Sequence, residues 1–207
     1  PLHSGPMETL TLVTLIVIGA YLVNSQQQRR RIALLGSHLG HYQIEKLMEN
    51  LTEGYLRCLG EDDPDRRAQI WGLLDSTEAK LSAQFDSFAA EFAQVGESEA
   101  RVSKLPLALP FVAQLLPAAT FDLRQAFAIH ARGIAGVMRN EAQRSPKAKA
   151  YMMSAELFLM QHSCHWYCKS KAVASARLLA RHKTSHAQVL DAVSAETRKA
   201  YAALTGQ

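Results

Sequence analysis

The chain has 207 residues, 48% of them hydrophobic and 20% charged, which excludes wholesale disorder and suits one packed domain. Its net charge of +4 is divided between an acidic half, residues 29–104 with 10 Lys/Arg against 13 Asp/Glu, and a basic half, residues 105–207 with 13 against 5. Such segregation turns the basic half toward something acidic, whether anionic lipid, nucleic acid or the chain's own acidic half, and a count of three cysteines excludes a disulfide framework and suits a reducing compartment.

Residues Pro1 to Pro6 look unlike a native membrane flank and read as an expression scar or upstream extension, Met7 being a natural start. Residues 7–28 then read as a transmembrane anchor. The run from Thr9 to Gln28 is uncharged, its core from Leu10 to Val23 is apolar, and Arg29, Arg30 and Arg31 close it as membrane-surface residues. The 17 residues from Thr9 to Ser25 span roughly 26 Å as a helix, close to the lower limit for a hydrocarbon core. The basic cluster follows the apolar stretch, and Tyr21 to Ser25 lacks small residues at cleavage spacing, so a retained anchor is expected rather than a cleaved signal. Arginines on this side place the N-terminus outside and residues 29–207 in the cytoplasm.

Past the arginines, Ile44, Leu47, Met48, Leu51, Tyr55 and Leu59 keep helical spacing up to a stop at Gly60. The anchor helix is expected to run on toward this segment, with Gly36 and Gly40 as weak points. His38 and His41 read as interfacial polar residues. Asp62 or Asp63 before Pro64 predicts the next helix start, and Leu74, Leu81, Phe85, Phe88, Phe92 and Val95 form its packing seam.

Leu105 to Phe121 is uncharged and interrupted by Pro106, Pro110 and Pro117. The first expectation is a broken helix buried in the core; an interfacial or re-entrant segment comes next, and a second crossing last. A helix carried by Leu123, Phe127, Ile134 and Val137 follows Asp122, with Gly133 and Gly136 allowing close approach. Ser145-Pro146 starts another, expected to run through Met153, Leu157, Met160, Cys164 and Tyr167 to about Arg181, and a last helix extends from about Ser185 to Gly206. With no convincing alternation, the fold class is all-α: one transmembrane helix followed by a bundle of about five helices.

The sharpest chemical cluster is residues 162–168, where Cys164, His165 and Cys168 lie within five residues. The order does not match covalent haem attachment, and one helix cannot present a tetrahedral ligand set, so metal would need a distant partner such as His130. The bland reading makes the thiols small buried hydrophobes and His130 a hydrogen-bonded core histidine. His182 and His186 have chelating spacing but lack the glutamate of a zinc-protease motif. The basic set around Arg139, Lys147, Lys171 and Arg181 comes without a nucleic-acid module; it reads first as an ordinary solvated face, with a lipid surface as the nearer partner and nucleic acid last.

The sequence therefore predicts a membrane-anchored, non-enzymatic interaction or scaffold protein with no cofactor. It would dock on a partner membrane protein or self-associate, with membrane lipids as a further partner. The alternative is a zinc- or haem-binding redox or sensor protein using Cys164, His165, Cys168 and His130.

Overall fold

The computed structural model describes residues 6–207; all but the last residue of the extension read at 1–6 lies outside the described residues. The first helix, α1 (Pro6–Leu39), is a single 34-residue rod. Its apolar half is long enough and apolar enough to cross a membrane and is not buried among the described residues, with Leu10, Leu15, Ile16, Val17 and Leu22 all exposed. From Asn24 onward the rod joins the domain, and Leu35 is in the core.

Helix α2 (Ile44–Leu59) stops at Gly60, and α3 (Pro64–Phe92) opens where Asp63 caps its first turn ahead of Pro64. The cap works because the Asp63 carboxylate accepts the Asp65 and Arg66 N–H groups, which no helical carbonyl can reach. The α2 stripe buries Cys58 instead of Leu59, which is exposed. The α3 seam is buried as its spacing predicts. Phe85, Phe88 and Phe92 meet Phe127 of α5 (Leu123–Arg139) in edge-to-face geometry, with centroids 5.0 to 6.1 Å apart.

Between α3 and α5 the expected buried helix does not form. Strands β1 (Arg101–Ser103) and β2 (Thr120–Asp122) pair antiparallel, Val102 opposite Phe121. They bracket a prominent loop holding only α4 (Val112–Leu115) and a 3-10 turn at Pro117–Ala119. The prolines deny the loop a continuous helical ladder, and its leucines are exposed rather than buried. At three residues each, the strands are too short to show alternation.

Helix α6 (Pro146–Cys168) is the hub, packing on α1, α2, α5, α7, α8 and β1. Sequence spacing runs it on to Arg181, but the chain breaks at Lys169-Ser170, where Ser170 caps α7 (Lys171–His182). The last expected helix is likewise divided at Val193-Ser194 into α8 (His186–Ala192) and α9 (Ala195–Thr205). At each break a serine hydroxyl captures the N–H three residues on, a local alternative to the helix ladder. The all-α class holds, with nine helices among the described residues in place of about six. One core cluster, from Leu35 to Tyr201, joins the acidic and basic halves.

Candidate functional site

Two places concentrate chemistry. The first is a cleft of about 190 Å³ where the apolar half of α1 ends. Its walls are the α1 segment from Asn24 to Leu34, the loop after β1, and the end of α6. The loop is tied to α1 by the Asn24 amide donating to the Ala108 carbonyl at 3.3 Å, and Lys169 donates to Gln28 at 3.2 Å. Beyond that tie the loop presents Leu107, Leu109, Phe111, Leu115 and Leu116, of which Leu115 is 74% exposed. Phe111 has φ of 62°, a left-handed conformation that costs a bulky side chain free energy and that clusters at functional places.

The three arginines expected at a membrane surface divide their roles. Arg29 and Arg30 are exposed, and Arg30 has no hydrogen-bond or ion-pair partner among the described residues. Arg31 turns inward. Its guanidinium donates to the Tyr167 carbonyl at 3.2 Å and the Arg101 carbonyl at 2.9 Å and lies 5.1 Å from the Tyr167 ring centroid. It satisfies one of the last carbonyls of α6 and brings positive charge to the negative end of that helix. Ser170 and the N-terminus of α7 complete the basic wall of the cleft.

The second place is a buried polar cluster among α5, α6, α7, α8 and α9. His130 is fully buried, and its Nε2 lies 2.8 Å from the Ser163 hydroxyl, itself 3.0 Å from the Tyr201 hydroxyl. His162 stacks on His186 with centroids 3.9 Å apart and bonds Ser175 at 3.0 Å. Nδ1 of His130, Nδ1 of His162 and Nε2 of His186 have no partner among the described residues. Burial therefore holds all three imidazoles neutral, their pKa values pushed down to about 3, about 2 and about 4. The same desolvation raises the Glu156 carboxyl, which accepts the Ser194 N–H at 3.0 Å. Gly133 makes room for this carboxylate, since a Cβ there would collide with Glu156 Oε2 and Thr197 Oγ1.

The four residues considered as metal ligands are not gathered into one site, although Cys164 and Cys168 are close enough on α6 to interact. His130 belongs to the Ser163 and Tyr201 network, while Cys164 is beside Met160 and senses Glu45 of α2. His165 is near Arg177 and Arg181 of α7, and Cys168 is near Arg31. Among the described residues no group of three or more His, Cys, Asp or Glu side chains is placed to hold a metal ion. His182 and His186 are not one turn apart on a helix: α7 ends at His182, which stacks on Phe158, and α8 begins at His186. His38 and His41 converge on Glu91 at 2.6 and 3.1 Å, joined there by the Tyr42 hydroxyl.

Sequence spacing missed the His162–His186 stack and the cleft. Each joins segments far apart in the chain, so no local signal could have announced them. No protein-family model, curated protein or solved structure matches the chain.

Proposed function

We propose that this is a single-pass membrane protein, N-terminus outside, whose cytoplasmic helical domain works by binding rather than catalysis. The reading rests on the exposed Leu107, Leu109, Phe111, Leu115 and Leu116 of the loop after β1 and its tie to α1 at Asn24, the level at which the apolar run gives way to polar residues. Beside a membrane anchor, that loop lies in the interfacial zone of the leaflet from which the domain emerges, and the basic half faces anionic headgroups. Side chains exposed sideways in that plane can be covered only by lipid or by the flank of another membrane protein, such as a second copy. This supports the role of an interaction or scaffold protein.

A nitroxide carried by a ketone-bearing residue at position 109, in proteoliposomes, tests the placement without disturbing the cysteines. Collisions with oxygen should exceed those with a water-soluble nickel chelate. Dipolar broadening that disappears on dilution with unlabelled protein identifies a second copy as the covering partner. Free access of the chelate to position 109 would refute the proposal.

The metal- or haem-dependent alternative would need further ligands brought to Cys164 and Cys168, and among the described residues no group of three or more His, Cys, Asp or Glu side chains is placed to hold a metal ion.

A further inference from the structure

We infer that the cleft between α1, the 105–116 loop and the end of α6 is a binding site for the phosphate headgroup of one anionic phospholipid, an inference that rests on the membrane placement proposed above. The charges facing the cleft are Arg30, Arg31, Arg101 and Lys169 against Glu99. Arg101 is engaged by Glu97, and Arg31 spends its donors on two backbone carbonyls. Among the described residues Arg30 is left unpartnered, and the Lys169 side chain bonds only the neutral Gln28. A guanidinium and an ammonium without a counter-ion, on two walls of one cleft, are the complement of a phosphodiester. The α7 N-terminus at Ser170 adds partial positive charge on the same side.

The apolar part of the cleft decides against a small soluble anion. Leu105, Leu107, Leu109, Phe111 and Val112 line it, on the loop that Asn24 ties to α1 just past the exposed apolar run ending at Leu22. Acyl chains following that run leave the phosphate at Arg30 and Lys169, so one amphipathic molecule satisfies both surfaces. An inorganic phosphate would leave the leucines uncovered.

The test is thermal unfolding of the full chain in a neutral detergent with dioctanoyl phosphatidylglycerol, dioctanoyl phosphatidylcholine or inorganic phosphate. Phosphatidylglycerol should raise Tm saturably while the other two do not. Arg30→Gln with Lys169→Gln should raise the half-saturating concentration at least tenfold. Arg30→Gln alone, at an exposed residue with no partner to lose, should weaken binding without lowering the unliganded Tm, and Arg29→Gln should change neither. Equal stabilisation by phosphatidylcholine overturns the headgroup assignment, and equal stabilisation by inorganic phosphate reduces the site to one for a free anion. An equal effect of Arg29→Gln reduces it to general surface charge. Because these readings are made in detergent, they are independent of the nitroxide result at position 109. Lipid binding can fail while the membrane placement stands, and the reverse.

Discussion

His130, His162 and His186 are held neutral by burial, each with a buried ring nitrogen that has no partner among the described residues, and this sets a pH dependence for stability. Their folded pKa values lie below the ordinary 6.5, so in acid the unfolded chain takes up protons that the folded chain refuses. The stability they allow is complete above about pH 7 and falls as pH drops below 6.5, by up to about 1.4 kcal/mol per pH unit for each histidine. Thermal melts in detergent should show Tm flat above neutrality and declining steeply from pH 6.5 toward 5. His162→Phe keeps a ring against His186 but cannot take a proton, and it should flatten that decline. An acid slope unchanged by the substitution would show that other groups set it. Sequence spacing made His130 a hydrogen-bonded core residue, and Ser163 supplies the partner. It could not supply the His162–His186 stack, whose members are separated by the break between α6 and α7.

The elements show where local chemistry is sufficient. Asp63-Pro64, Asp122 and Ser145-Pro146 each start a helix where the sequence places one, because a side-chain cap acts within three residues. The ends of α6 and α8 were illegible, since apolar spacing continues through both and only the Ser170 and Ser194 caps mark the turns. Arg31 shows how one residue joins elements. Its bonds to the Tyr167 and Arg101 carbonyls link α1, the end of α6 and β1. Arg31→Ala should cost about 1.5–3 kcal/mol, the range for hydrogen bonds from a charged donor, whereas Arg29→Ala should stay within about 0.5 kcal/mol. Chemical denaturation of the two variants separates a structural arginine from a solvated one, and equal effects would contradict the division of roles.

At the scale of the whole molecule, the ion pairs that join the acidic and basic halves among the described residues centre on Lys149. Lys149 of α6 pairs with Asp75 at 3.0 Å and with the buried Glu78 at 2.5 Å, and Glu78 also accepts the Tyr55 hydroxyl. Lys149→Met strands that carboxylate in the core and should destabilise the protein by about 3–5 kcal/mol, while Lys149→Met with Glu78→Leu should recover much of the loss. A double variant no better than the single one would mean that packing, not charge, holds the halves together there. The sequence by itself determined the helical class, most helix starts, the α3 aromatic seam and the apolar run at the head of α1, because caps, prolines and 3.6-residue periodicity act over a few residues. The tertiary structure alone decided that Leu107, Leu109, Phe111, Leu115 and Leu116 stand exposed beside α1, that Arg31 faces inward, and that His162 stacks on His186. Those outcomes depend on which distant segment arrives to cover a side chain, and no spacing along the chain encodes that.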